Sequence, residues 1–440
     1  MSLATPEKIR TFQRKLYLAA KQKPTQRFHA LYDKVHRSDM LNHAYALCRA
    51  NGGAPGVDGM TFEMIESGGR EDWLKRMQEE LRTKTYEPQA VRRVMIPKPG
   101  GGERPLGIPT IRDRVVQMAA KLVMEPIFEA DFDEGAFGYR PKRSAQQAIK
   151  TVHDALLSGR TDVVDADLSK YFDTIPHDAL LKSVARRIVD RALLALIKAW
   201  LKVPVQETDD QGRTRISGGK NTKQGTPQGG VISPLLANIY MHRYLRAWRE
   251  RGKAQQYDAT IVNYADDFVI LSRSKARDAL EWTKQVMERI GLKLNETKTR
   301  LCNARQGSFN FLGYTFGPER FRKDGHWYLG AKPSKKAIQR LKDKIGDVLR
   351  QGVVDPWQEV RDRLNRMLAG WSQYFSYGTL LMAYRAIDNH VQQAVRRFLT
   401  RRHKVPGQGT KRFSDAEIFG NLGVIRLRWK HLGRPACTAK

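Results

Sequence analysis

The sequence predicts an α+β protein with a separate helical part, and three observations support this prediction. Two strand-like segments that carry acids, Thr161 to Leu168 and Ala259 to Leu271, alternate with segments whose apolar residues recur at helical spacing. A chain of 440 residues is too long for one compact core, so we expect two to four structural units. After Tyr314 the apolar pattern is helical throughout and the charge is strongly basic.

The first third of the chain predicts helices followed by a hairpin. Residues 1 to 50 form basic helices in this prediction, with an apolar stripe from Phe28 to Val35. The turn-rich stretch from Asn51 to Gly59 ends that segment. Val91 to Pro97 alternates like a strand, and the Pro- and Gly-rich stretch up to Arg104 predicts a turn into a second strand. A two-stranded basic finger is therefore expected.

The middle and the end of the chain predict further helices. Ser144 is a candidate N-cap of a helix. One long apolar helix passes through Leu193 to Trp200, and another runs from Pro234 to about Arg251. Near the C-terminus, Ile338 to Val348 and Val360 to Trp371 each carry an apolar stripe, so these two helices are expected to pack together.

Charge and composition narrow the function. The chain has 78 Lys and Arg against 46 Asp and Glu, a formal net charge of +32 that favours nucleic acid as the partner. An anionic membrane surface, acidic proteins or a basic surface without function are the alternatives. The three cysteines lack metal or redox spacing, and no apolar run approaches the roughly 18 residues of a membrane span. We expect a protein of the reducing cytoplasm that uses no membrane.

Two clusters of acids are candidate metal ligands. Asp266 and Asp267 lie between apolar runs, and two carboxylates ~4 Å apart repel by ~4 kcal/mol at an effective dielectric of about 20. An exposed hairpin tip would explain the pair, but the flanking runs favour a turn between two buried strands. Upstream, Asp165 and Asp167 share one face of a strand. Acids from two strands can bind two Mg²⁺ ions ~3.5 to 4 Å apart, the arrangement of phosphoryl-transfer enzymes.

The order of motifs resembles the reverse transcriptases encoded by group II introns of bacteria and organelles. The resemblance covers about residues 50 to 405. In chain order, the motifs that carry it are Gly56 to Gly59, Ile96 to Pro109, Gly138 to Pro141, Asp167 to Asp173, Gln224 to Tyr240, Tyr264 to Asp267, Gly291 to Lys298 and Phe311 to Tyr314.

The resemblance implies a right-hand polymerase and assigns roles within its palm. It selects Asp167, Asp266 and Asp267 as the catalytic acids and metal ligands, with the backbone carbonyl of Leu168 as an extra ligand. The metal would be two Mg²⁺ ions, with Mn²⁺ as an alternative. Phe172, five residues after Asp167, would be the steric gate that rejects a ribose 2′-hydroxyl. The product would then be DNA.

Further residues are candidates for substrate contacts. Lys98 and Arg104 could balance the triphosphate charge of a dNTP, Gln224 could contact the nucleotide or template, and Lys298 could protonate pyrophosphate. Solvated surface cations and ordinary turn chemistry would also explain these residues. The resemblance assigns the primer grip to Leu312, Gly313 and Tyr314. Candidates for binding nucleic-acid phosphates are Lys332, Lys335, Lys336, Arg340, Arg363, Arg401 and Arg402, for which a solvated helix face is the alternative.

The expected organisation has four parts. They are an N-terminal helical extension (1–50), fingers and palm (51–327), a helical thumb or maturase-specific domain (328–405) and a short basic DNA-binding tail (406–440). The chain lacks the paired cysteines and histidines of the endonuclease that many such proteins carry, so no cleavage of the second DNA strand is expected.

The expected function is that of an RNA-directed DNA polymerase. It would bind intron RNA, assist its splicing and copy it into DNA from a DNA primer or target. It would act in the bacterial cytoplasm, at the nucleoid when it works on DNA. The alternatives are a protein that is chiefly an RNA-binding splicing cofactor, and a domesticated relative that serves DNA repair or phage defence.

Overall fold

The computed structural model describes residues 3–97, 102–209, 211–321, 324–350 and 352–428. Its helices are α1 (Glu7–Gln22), α2 (Tyr32–Val35), α3 (Ser38–Asn51), α4 (Phe62–Ser67), α5 (Arg70–Thr83), α6 (Ile111–Glu129), α7 (Ala145–Leu157), α8 (Tyr171–Thr174), α9 (His177–Ala185), α10 (Arg191–Leu201), α11 (Ser233–Glu250), α12 (Lys253–Gln256), α13 (Ala276–Arg289), α14 (Lys335–Val348), α15 (Trp357–Tyr374) and α16 (Leu381–Arg402), followed by a π-helix (Glu417–Asn421). Its strands are β1 (Val91–Pro97), β2 (Glu103–Ile108), β3 (Asp162–Asp167), β4 (Pro204–Thr208), β5 (Thr214–Gly218), β6 (Ala259–Tyr264), β7 (Asp267–Ser272), β8 (Arg300–Asn303), β9 (Phe309–Phe311), β10 (Tyr314–Arg320) and β11 (Trp327–Pro333). The predicted α+β class is confirmed. Among the described helices, none is long and apolar enough to cross a membrane.

The N-terminal helices pack on α6, the long buried helix that follows the finger. The predicted helical stripe from Phe28 to Val35 is only partly right, because α2 begins at Tyr32. Phe28 instead lies in an extended segment whose amide donates to the carbonyl of Arg187 at 2.7 Å. Asp190 then accepts hydrogen bonds from the Leu31 and Tyr32 amides, both at 2.8 Å, and joins the N-terminal segment to the start of α10. A long-range backbone pairing has therefore replaced a local helix.

The predicted basic finger is a β-hairpin at the edge of a four-stranded sheet of order β2-β1-β4-β5. β1 and β2 pair antiparallel from Arg92 opposite Ile108 to Pro97 opposite Glu103. The strand prediction for Val91 to Pro97 is confirmed. The turn of the hairpin, including Lys98, lies outside the described residues.

A second sheet, of order β6-β7-β3-β8, is antiparallel throughout and brings the acids together. β6 and β7 form the predicted pair of buried strands, with Tyr264 opposite Asp267. β3 lies against β7, and Asp167 is opposite Asp267 at the end of that pairing. Helix α7 packs against one face of this sheet. It begins directly after the predicted N-cap Ser144, whose hydroxyl accepts from the Gln147 amide in a capping box.

A third sheet, of order β11-β10-β9, corrects the prediction that the chain is all helical after Tyr314. β10 and β11 pair antiparallel from Tyr314 opposite Pro333 to Arg320 opposite Trp327. Aromatic residues favour a strand here, and the Gly317-Pro318 pair disfavours a helix. The expected boundary at 328 therefore falls inside β11, and the helices begin at Lys335.

The C-terminal helices α14, α15 and α16 share one core, as their apolar stripes predict. The described part of the predicted tail joins this core, because Phe413, Ile418 and Leu427 are buried in it. The carboxylate of Asp388, 1% exposed, accepts from the backbone amides of Leu427 at 2.8 Å and Arg428 at 3.2 Å. The described end of the chain thus packs on the helical unit.

Candidate functional site

The acids Asp266 and Asp267 lie on a tight turn, called here the acid turn (residues 264–267), between β6 and β7. Its second residue, Ala265, has a positive φ of 59°, which is unfavourable for any residue with a Cβ. The buried Asn263 holds the turn by donating from Nδ2 to the Ala265 carbonyl at 2.9 Å. The Leu168 amide donates to the Asp266 carbonyl at 3.3 Å. Contacts on both sides thus fix the turn at the end of the sheet.

The third acid, Asp167, is adjacent to this turn. Its backbone carbonyl accepts from the Asn295 amide at 2.8 Å, and its carboxylate contacts the ammonium of Lys298. Burial and the neighbouring Asp266 and Asp167 carboxylates raise the pKa of Asp267 to about 7. Burial and Asp167 also raise the pKa of Asp266. The predicted acids therefore lie close enough together that Asp167 opposes the ionisation of Asp266 and Asp267, and a bound cation would relieve that repulsion.

A divalent ion at these acids would need the substrate to complete its coordination. Among the described residues, no group of three or more His, Cys, Asp and Glu side chains could by itself hold a metal ion. Mg²⁺ at phosphoryl-transfer sites is commonly held by one or two carboxylates together with substrate phosphates. Leu168, predicted as an extra ligand through its carbonyl, is buried next to Asp167 and pairs with Leu294 in an isolated β-bridge.

The predicted gate, Phe172, is in the short helix α8, and its side chain is largely buried at 7% exposure. Its ring meets that of Tyr139 edge to face, with ring centres 6.3 Å apart. The Phe172 carbonyl accepts from the Thr226 amide at 2.7 Å, which ties α8 to the Gly-rich turn before α11. A largely buried aromatic ring is therefore packed five residues after Asp167.

A chain of polar side chains connects the finger with helix α8, which follows strand β3 of the sheet that carries the acids, called here the palm sheet. The guanidinium Nε of Arg104 donates to Oε1 of Gln228 at 2.9 Å, and Nε2 of Gln228 donates to the Asp173 carboxylate at 3.0 Å. The predicted Gln224 instead forms an isolated β-bridge with Pro176, and its side chain is exposed. Sequence reasoning missed Gln228, although it is the same residue type in the same motif, directly before Gly229 and Gly230.

Two family profiles match the chain. The profile described as reverse transcriptase (RNA-dependent DNA polymerase) matches residues 96–316, which contain all three acids and strand β2 of the finger. The profile described as group II intron, maturase-specific domain, matches residues 338–414 in the helical unit. The chain belongs to the group II intron-encoded reverse transcriptases. This reverse transcriptase is an RNA-directed DNA polymerase with the right-hand polymerase fold, and the predictions of family, fold and enzyme class are confirmed.

Individual relatives agree with this assignment. The reverse transcriptase is 35% identical over 366 residues to Protein YkfC of Escherichia coli strain K12, across 75% of this chain and 93% of that protein. It is 28% identical over 394 residues to the group II intron-encoded protein LtrA of Lactococcus lactis subsp. cremoris, across 74% of this chain and 63% of LtrA. It is also 31% identical over 296 residues to a putative COX1/OXI3 intron 2 protein of Saccharomyces cerevisiae, covering 34% of that protein.

The predicted primer grip forms the turn between β9 and β10 of the reverse transcriptase. Leu312 and Gly313 both have positive φ, 49° and 78°, so they make a two-residue hairpin turn. The turn is fastened to the helical unit, because the Tyr374 hydroxyl donates to the Leu312 carbonyl and the Ser334 amide to the Gly313 carbonyl, both at 2.9 Å. Tyr314 follows and is fully buried. Leu312 and Tyr264 pack against the same apolar cluster, so the turn and the acids adjoin one core.

The predicted phosphate-binding residues fall into two groups. Lys335, Lys336 and Arg340 are exposed on the first half of α14. Arg401, in the last turn of α16, is exposed as well. The other group already contacts residues within the protein. Its engaged members are Lys332, which pairs with Glu319 at 3.3 Å, Arg363, which pairs with the Asp355 carboxylate, and Arg402, which donates to the Asp355 carbonyl at 2.7 Å.

Proposed function

We propose that this reverse transcriptase copies intron RNA into DNA by transferring deoxynucleotides to the 3′-hydroxyl of a DNA primer, with two Mg²⁺ ions at Asp167, Asp266 and Asp267. The observation that supports this proposal is the convergence of three mutually repelling carboxylates at one end of the palm sheet. Mn²⁺ is an alternative ion with the same oxygen ligands. The protein would act in the bacterial cytoplasm, at the nucleoid when DNA is the target.

The protein's own residues would position the reactants and balance their charge. Bound Mg²⁺ would supply activation of the primer hydroxyl and charge neutralisation at the transferring phosphoryl group. Arg104, together with Lys98, would bind the triphosphate, and Gln228 would orient the Arg104 guanidinium. Phe172 would exclude a 2′-hydroxyl by its fixed ring. Catalysis of this kind depends on positioning and on preorganised charge.

Lys298 and the primer grip would complete the reaction. The Lys298 ammonium contacts the Asp167 carboxylate, and from this position it would donate a proton to the departing pyrophosphate. The turn of Leu312 and Gly313 would hold the end of the primer next to the acid turn.

The helical unit would bind the intron RNA and assist its splicing. Support comes from the match of the maturase-specific profile and from the exposed Lys335, Lys336 and Arg340 on α14. Each phosphate that such residues neutralise makes binding more sensitive to salt. A second candidate function is a domesticated role in DNA repair or phage defence with the same chemistry. The extensive similarity to Protein YkfC, whose name specifies no intron, favours it.

The substitution Asp266→Ala tests the polymerase proposal. We expect it to abolish primer extension on an RNA template while RNA binding stays within about twofold of wild type. The matched control is Asp278→Ala, which removes an exposed carboxylate on α13 and should leave extension unchanged. Undiminished DNA synthesis by Asp266→Ala would refute the assignment of the acids. Splicing of a bound group II intron by both variants is expected from the RNA-binding role, and failure of the wild-type protein to promote splicing at any salt concentration would refute that part.

A further inference from the structure

Tyr139 combines exposure with an unfavourable backbone conformation. Its side chain is 46% exposed, and its φ of 57° lies in the left-handed region that bulky residues rarely adopt. A strained aromatic residue that the core does not need is a candidate for a functional role.

The residues on both sides hold Tyr139 in this conformation. The Phe137 amide donates to the Asn263 carbonyl at 2.9 Å, and the Asn238 side chain donates to the Gly138 carbonyl at 2.8 Å. The buried guanidinium of Arg140 binds the Glu129 carboxylate at 2.7 Å and also donates to two backbone carbonyls of residues 133 and 136 at 2.6 and 2.7 Å. The backbone at position 139 is therefore rigid, and only its side chain is left outside.

The same segment rests directly on the acid turn. A Cβ added at Gly138 would lie only 2.5 Å from the amide nitrogen of Ala265. The backbone directly before Tyr139 therefore contacts the acid turn, which carries Asp266. Its position relative to the acids is fixed by this contact.

The side chain of Tyr139 lies beside the proposed gate and next to the acid turn. The ring stands at 76° to that of Phe172, the proposed gate. Burial and the Asp266 carboxylate raise the pKa of Tyr139, and Arg104 opposes that shift. The exposed Tyr139 side chain thus adjoins both Phe172 and the acid turn, beside the place proposed for the triphosphate.

We propose that Tyr139 is a specificity-determining residue of the nucleotide pocket, whose ring holds Phe172 against the sugar and whose hydroxyl donates a hydrogen bond to a phosphate oxygen of the incoming dNTP. The proposal rests on the proposed polymerase function and adds a second wall to its substrate pocket. It predicts separate consequences for the loss of the hydroxyl and for the loss of the ring.

The experiment compares Tyr139→Phe and Tyr139→Ala in single-nucleotide primer extension with a dNTP and the matching ribonucleotide. Tyr139→Phe should raise KM for the dNTP about 5- to 20-fold, the effect of one hydrogen bond, with kcat within about twofold. Tyr139→Ala should in addition lower the preference for dNTP over ribonucleotide about 5-fold, because Phe172 loses its edge contact. The matched control, Tyr17→Phe, changes a tyrosine on α1 that is also partly exposed, at 36%, and should alter neither quantity.

The outcomes separate this inference from the polymerase proposal. A wild-type protein that makes DNA, together with two Tyr139 variants that keep its KM and its sugar preference, would overturn the role of Tyr139 alone. A wild-type protein that makes no DNA would overturn both. Tyr139→Phe retains the ring and the backbone, so its KM decides the role of the hydroxyl even when Tyr139→Ala does not fold.

Discussion

The substitution Gly138→Ala tests whether the acid turn must rest directly on the segment beneath it. An added Cβ would lie 2.5 Å from the Ala265 amide nitrogen and 3.1 Å from the Tyr264 carbonyl carbon. These neighbours are backbone atoms of a turn held by Asn263, so no flexible side chain can give way. To restore an ordinary contact of 3.4 Å, the two backbones must separate by about 0.9 Å.

The expected effect on catalysis follows from that displacement. A misplacement of about 1 Å in a positioned reaction can lower the rate about 100-fold. Crowding of this kind in a packed region also costs about 1 to 3 kcal/mol of unfolding free energy. Gly138→Ala should therefore lower the single-turnover rate of nucleotide addition about 100-fold and destabilise the protein by that amount. Binding of the primer and template should change much less.

The measurement combines single-turnover primer extension with urea unfolding. Gly346→Ala is the matched control, since its added Cβ would meet no atom within 4 Å and the residue lies inside α14. That control should keep full activity and gain about 0.5 to 1 kcal/mol of stability. A Gly138→Ala protein that extends primers at the wild-type rate and unfolds at the wild-type urea concentration would refute the reasoning.

Two further predictions concern a lysine at the site and a histidine away from it. Lys298→Gln removes the ammonium that contacts Asp167. Because this side chain is 64% exposed, the unfolding free energy should change by less than about 1 kcal/mol, whereas nucleotide addition should slow about 10²- to 10⁴-fold. A near-normal rate of addition would exclude Lys298 as the proton donor. Burial lowers the pKa of His242 to about 4 from its usual 6.5, so the unfolded chain takes up a proton on this residue at a higher pH than the folded protein does. The unfolding free energy should therefore fall by up to about 3 kcal/mol as the pH drops from about 6.5 to about 4. His242→Gln should flatten this dependence in urea titrations between pH 7 and 4, and an equally steep loss in the variant would contradict the assignment.

The acid turn could be predicted from the sequence because its causes are local. Two apolar runs flank Asp266 and Asp267, which fixes both strands and leaves the acids at the turn between them. Strand β3, which carries Asp167 and pairs with β7, could be predicted for the same reason, because a buried β-branched run ends at Asp167. Motif order then selected Asp167 over Asp165, a choice that side-chain alternation alone left open.

Other features depend on contacts between distant residues, and the sequence does not show them. Gln224 and Gln228 are the same residue type in one turn-rich motif, and only the pairing of Gln228 with Arg104 distinguishes them. The β10 and β11 hairpin escaped prediction because Gly, Pro and charged residues interrupt its alternation. The packing of residues 413–427 into the helical unit also lacks a regular period, since part of it is a π-helix.

The hydrogen bonds from Tyr374 and Ser334 to the turn of Leu312 and Gly313 fix the distance between the helical unit and the palm. The helical unit cannot move away from the palm without breaking these two hydrogen bonds, so the distance between the basic face of α14 and the acids stays constant. Nucleic acid would then advance past two points at constant separation. The number of base pairs between the end of the primer and the first strongly held phosphate would be the same at every step of synthesis.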